Sequence, residues 1–136
     1  MLERIDHIGI AVADLDAAIA LYGGTMEMTI AHREVVSEQG VEAVLLDVGE
    51  GHIELLSPLG EGTPVGKFMA SRGPGLHHVA YSVGDVAATL AELAERGLKL
   101  IDETPRKGIA GSSVAFVHPR STGGVLTEIV QPAKGD

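Results

Sequence analysis

Two stretches decide how this chain folds: Asp6-His7-Ile8-Gly9-Ile10-Ala11-Val12-Ala13-Asp14 and His77-His78-Val79-Ala80-Tyr81-Ser82-Val83-Gly84-Asp85. Each sets a histidine in a strand-like run and closes on an aspartate. Successive side chains of a strand point to opposite faces. His7, Gly9 and Ala11 therefore share one face, and Ile8, Ile10 and Val12 the other. In the second stretch His78, Ala80 and Ser82 lie opposite Val79, Tyr81 and Val83. The bulky faces suit packing on helices, while the faces bearing histidine are otherwise small. The same alternation selects His78 over His77, which falls on the bulky side.

The residues after the two stretches are also alike. Asp14 and Asp85 are good helix N-caps, and Gly23 and Gly97 are the expected stops. The first helix reads Leu15, Ala18, Ile19 and Tyr22 on one face; the second reads Val86, Leu90, Leu93 and Ala94. Ile53-Glu54-Leu55-Leu56-Ser57-Pro58 and Thr127-Glu128-Ile129-Val130-Gln131-Pro132 close the two halves in the same way. The repeating unit is strand–helix–strand–strand–strand. Strands are predicted near 5–12, 27–36, 41–49 and 52–57, then near 76–83, 98–102, 112–118 and 124–131. The fold class is α+β, with two βαβββ modules in one domain spanning residues 1–136. Module 1 covers about 1–60 and module 2 about 76–136, with a linker over 61–75 that holds a short helix around Val65–Ser71. Neither half is large enough to bury a comfortable core alone.

Composition narrows the chemistry. The chain has no cysteine, which excludes thiolate metal sites, cysteine nucleophiles and disulfides and suits a reducing cytoplasm. A net charge of −9 argues against a basic face for nucleic acid. No apolar run approaches the roughly 20 residues that span a bilayer, and Met1-Leu2-Glu3-Arg4 carries no signal-peptide pattern. The expected location is cytoplasmic.

His7, Glu54, His78 and Glu128 are the candidate metal ligands. Glu54 and Glu128 sit among apolar strand residues, where a lone carboxylate costs several kcal/mol unless it is paired or bound to metal. Two imidazoles with two carboxylates suit Zn, Fe, Co, Ni or Mn and neutralise a divalent ion. A lone strand His or Glu is usually packing or surface. The repeat relation between the two His–Glu couples is what singles these out. His32 and His52 lack such a relation and are expected at the surface.

At these residues the chain resembles the vicinal oxygen chelate superfamily and, more narrowly, its methylmalonyl-CoA epimerase family. The resemblance is carried by Asp6–Val12, by Ile53–Leu59 with Thr63-Pro64-Val65, and by Gly75-Leu76-His77-His78-Val79-Ala80. It continues in Gly108-Ile109-Ala110-Gly111-Ser112, Val117-His118-Pro119-Arg120-Ser121 and Gly124-Val125-Leu126-Thr127-Glu128. It implies a cup-shaped mixed sheet around a metal site, with the ligands on His7, Glu54, His78 and Glu128; some epimerases have Gln at the position of Glu54. It implies one divalent ion per chain, with Co2+ favoured and Mn2+, Zn2+, Ni2+ or Mg2+ as alternatives. The implied reaction is 1,1-proton transfer at C2 of an acyl-CoA, methylmalonyl-CoA, through an enolate. Glu42 and Glu128 are the implied acid/base pair. Alternation groups Glu42 with Val44 and Leu46, on a face expected to line the cup. Glu128 would bind metal through one oxygen and leave the other free, or a water would serve instead. Gly111, Ser112, His118 and Arg120 are the expected substrate contacts, and a homodimer the expected assembly. The alternatives are a glyoxalase-type isomerase, a metal-free protein that sequesters a small ligand, and an iron dioxygenase with two His and one Glu.

Overall fold

The computed structural model describes residues 1–133 and shows a mixed α+β fold. The first module runs β1 (Arg4–Ala11), α1 (Leu15–Ile19), β2 (Thr29–Val36), β3 (Val41–Val48) and β4 (Gly51–Pro58). Helix α2 (Pro64–Arg72) comes next. The second module runs β5 (Gly75–Ser82), α3 (Val86–Glu95), β6 (Arg106–Lys107), β7 (Ser113–Val117) and β8 (Thr127–Gln131). The βαβββ order read from the sequence is therefore present twice.

The described chain divides into two compact units, one of His7–His77 and one of Met1–Asp6 with residues 78–133. In the first unit the strands pair in the order β2-β3-β4-β1. β2–β3 and β3–β4 are antiparallel, and β4 is parallel to β1. Val44, Leu46 and Leu55 form its core with Leu15 and Ala18 of α1. In the other unit the order is β5-β8-β7-β6, with β5 parallel to β8 and the remaining pairs antiparallel. Its core joins Val86 and Leu90 of α3 to Ala115 and Ile129. The Glu3 amide donates to the Ser82 carbonyl at 2.9 Å, which ties the N-terminal residues into this second unit.

The caps of α1 and α3 are where the sequence puts them. Asp14 accepts from the Ala17 amide and Asp85 from the Ala88 amide, each at 3.0 Å. Thr63 caps α2, with proline at the first helical position. Three details depart from expectation. Gly23 does not stop the first helix. Beyond Ile19 the chain widens into a π-helical turn over Ala20–Thr25, with the Met26 amide bonded to the Leu21 carbonyl, and the left-handed residue that reverses it is Glu27 at φ 61°. Residues 98–102 form no strand; Leu100 makes one bridge to Val117, and the ladder partner of β7 is Arg106–Lys107. Finally, β2 carries a bulge: Ile30 pairs with Leu46 and His32 with Leu45, leaving Ala31 as the extra residue.

Candidate active site

Ladder partners project to the same side of a sheet, so the registers fix which side chains meet. In the first unit His7 pairs with His52 and Gly9 with Glu54. His7 and Glu54 therefore share a face, and His7 Nε2 lies 3.6 Å from Glu54 Oε1, with both side chains buried. The intervening Ile10, Ile53 and Leu55 point the other way, into the contact with α1. The alternation that buries the helix side is what aims the histidine and the carboxylate together.

The second unit repeats the arrangement. Ala80 pairs with Glu128, and Glu128 with Phe116. His78 Nε2 lies 3.7 Å from Glu128 Oε1, with both side chains buried. The Phe116 ring meets the His78 imidazole edge-on, with centroids 5.5 Å apart. His77, on the opposite side of β5, packs edge-on against Phe68 of α2 at 4.9 Å. Burial pushes its imidazole down to about 4, so it is uncharged near neutrality.

Both nitrogen–oxygen separations exceed ordinary hydrogen-bond length. They are close to the spacing of two donors that each stand about 2.0–2.1 Å from a common cation. Each couple, buried and one nitrogen to one oxygen, thus has the chemistry and spacing of half a metal-ligand set. The residues fit the divalent ion expected from the sequence.

Glu42 lies off this face, against the expectation that it lines the cup. The register pairs Glu42 with Ser57 and Val35, whereas Glu54 pairs with Leu45. Positions 42 and 45 differ by an odd number along an unbroken ladder, so Glu42 lies on the face opposite His7 and Glu54. It shares that face with Val44 and Leu46, and these pack on α1. Its carboxylate accepts from Arg33 Nε at 2.9 Å, and the Arg33 NH1 group reaches Asp16 of α1 at 3.0 Å. The bonds to Glu42 and Asp16 hold the Arg33 guanidinium above its usual range. Glu42 therefore belongs to an ion-pair bridge on the helix side.

The face of His7 and Glu54 carries Ala43 and Leu45 on β3, and through their register Glu34 and His32 on β2. His32 Nε2 lies 2.6 Å from Glu34 Oε1. At the other end of this face His52 Nε2 lies 3.2 Å from Asp47 Oδ1. Both histidines are partly exposed, and each is paired with a carboxylate. The i, i+2 spacing of His32 and Glu34 within a strand is the signal that the sequence offers for the first of these pairs. In the second unit Arg106 pairs with Val114, which pairs with Val130, on the side of His78 and Glu128. Arg106 Nε is buried without a hydrogen-bond partner and stands 3.7 Å from Asp102.

The expected substrate contacts fall on two turns. Gly111, at φ 73°, closes the turn Ile109–Gly111, and Ser112 comes after it with a buried hydroxyl lacking a hydrogen-bond partner. His118 caps the turn Pro119–Ser121 by accepting from the Arg120 amide at Nδ1, 3.0 Å; the Arg120 side chain is exposed.

The sequence model of the glyoxalase/bleomycin resistance protein/dioxygenase superfamily matches residues 6–116. The chain belongs to this superfamily. It is 38% identical over 135 residues to an uncharacterised Bacillus subtilis protein, YqjC, covering 99% of this chain and 96% of that one. It is 35% identical over 133 residues to the ethylmalonyl-CoA/methylmalonyl-CoA epimerase of Cereibacter sphaeroides, covering 96% and 99% of the two chains. A solved methylmalonyl-CoA epimerase in complex with methylmalonyl-CoA and NH4+ superposes with a TM-score of 0.94 at 41% identity, over 98% of this chain and 97% of the other. As a member of the glyoxalase superfamily the chain carries the fold in both modules, each with its own buried His–Glu couple.

Proposed function

We propose that this chain is a metal-dependent methylmalonyl-CoA epimerase, moving the C2 proton between the two faces of an enolate to interconvert the (2R) and (2S) forms. The observation that carries the reading is the pair of buried His–Glu couples at equivalent strand positions, in a chain so similar over its whole length to epimerases. His7, Glu54 and His78 are buried residues of types that hold metal, and Glu128 completes the set as the carboxylate partner of His78. Co2+ is the ion we favour. A divalent ion bound by these residues supplies Lewis acidity toward the oxygen on which enolate charge develops.

The residues themselves divide the remaining work. Burial of the two couples keeps water from competing for the carboxylates. Glu128, whose carboxylate lies 3.7 Å from His78, is one proton-transfer group at C2 in this reading. Inversion needs another acid/base group on the opposite face of the planar enolate, and the placement of Glu42 leaves that role to another residue. The turns around Gly111–Ser112 and His118–Arg120 supply donors for the acyl-CoA. The working form is taken as a homodimer in the cytoplasm.

The test is incubation of (2R)- or (2S)-methylmalonyl-CoA with the metal-loaded protein in D2O. Deuterium at C2 with formation of the opposite stereoisomer is expected. Absence of both above the uncatalysed background removes the epimerase reading. A purified protein that neither contains nor takes up a divalent ion favours ligand sequestration instead.

A further inference from the structure

We propose that His32 is the second proton-transfer group and that Glu34 positions it; this rests on the epimerase reading. The register places both residues. The row Gly9–Glu54–Leu45–His32 runs across four paired strands, and the adjacent row is Ala11–Leu56–Ala43–Glu34. His32 and Glu34 therefore project from the same face as His7 and Glu54. Between the two couples the face is small or apolar: Ala43, Leu45 and Leu56. Two inter-strand steps of about 4.8 Å put the backbones of Glu54 and His32 about 10 Å apart. That spacing admits a reacting carbon between the metal-ligand side chain and the imidazole.

The short contact defines the chemistry. With Glu34 ionised, His32 donates from Nε2 to Glu34 Oε1 at 2.6 Å. Its Nδ1 is then the lone-pair nitrogen, oriented by the carboxylate behind it. In one direction the C2–H bond breaks, the proton passes to Nδ1 and the electron pair enters the enolate. Glu128 then delivers a proton to the opposite face, forming the new C2–H bond. The reverse direction exchanges the roles. Neither oxidant nor co-reactant is needed.

The experiment separates exchange from inversion. His32→Gln and Glu34→Gln are compared with wild type and with His52→Gln, which removes the His52–Asp47 pair of this face. With one of two bases gone, the remaining base still exchanges C2 hydrogen for deuterium in one stereoisomer, with retention. The expected result for His32→Gln is inversion lowered at least about 100-fold while that exchange persists and thermal unfolding is unchanged. Glu34→Gln falls in the same direction, and Glu34→Asp recovers part of the loss. His52→Gln inverts normally. Wild-type inversion by His32→Gln, or loss of inversion in His52→Gln alone, overturns the proposal while leaving the epimerase reading standing. A wild-type protein without exchange or inversion overturns both.

Discussion

Glu54 and Glu42 are both strand glutamates in the same unit, and only the register tells them apart. Around Glu54 the neighbours Ile53 and Leu55 are large and pack toward the helix, so alternation turns Glu54 the other way. The sequence misplaces Glu42 because nothing in Val41-Glu42-Ala43-Val44-Leu45-Leu46 distinguishes two apolar faces. The Arg33 bridge shows where Glu42 lies. Glu42→Gln is accordingly expected to keep inversion within about threefold and to shift the thermal midpoint by at most a few degrees, since exposed ion pairs contribute little. Steady-state kinetics and a melting curve check both. At the proposed metal ligands the effects are larger. His78→Ala removes a ligand, so its metal affinity should fall by more than the roughly 10–100-fold typical of an outer hydrogen-bonding partner. Glu54→Gln keeps an oxygen donor but loses the charge, so its loss should be smaller. Isothermal titration of metal-free protein ranks them; equal losses would contradict the assignment of Glu54.

At the scale of elements, caps and alternation are legible in the sequence and reversals are not. Asp14 and Asp85 act through hydrogen bonds within three residues, so local sequence suffices. The end of the first helix depends on tertiary packing: the extra π-helical residue brings Gly23 against Ile30 and Leu46, and the left-handed duty passes to Glu27. Left-handed backbone costs a residue with a Cβ about 1 kcal/mol. Glu27→Gly is expected to stabilise the protein by roughly 0.5–1 kcal/mol in urea unfolding. Gly66 on α2 behaves oppositely, since a Cβ there would lie 2.2 Å from the Gly60 carbonyl oxygen. Gly66→Ala should cost about 1–3 kcal/mol, because the loop carrying Gly60 has to move. An unchanged unfolding midpoint would mean that the loop yields freely.

For the whole molecule, the duplication is the feature most open to sequence reading, because it repeats both the fold pattern and the chemistry. Bound metal also links folding to occupancy. If the ion binds the folded chain alone, metal at a hundred times its dissociation constant adds about 2.7 kcal/mol to stability. Chelation should therefore lower the thermal midpoint, and stoichiometric metal should restore it; a midpoint indifferent to chelator would argue against a buried ion. The two units agree along their inner rows, where His7 and Glu54 answer His78 and Glu128. They part company on the outermost strand, where Glu34 opposes Ala43 in one unit and Arg106 opposes Val114 in the other. An ancestral duplication thus left two copies of one scaffold with opposite charge at matching margins. In the first copy that margin carries the His32–Glu34 couple assigned to proton transfer, so the second copy's margin at Arg106 is the one that can be recharged without touching that couple, which makes it the place to engineer specificity.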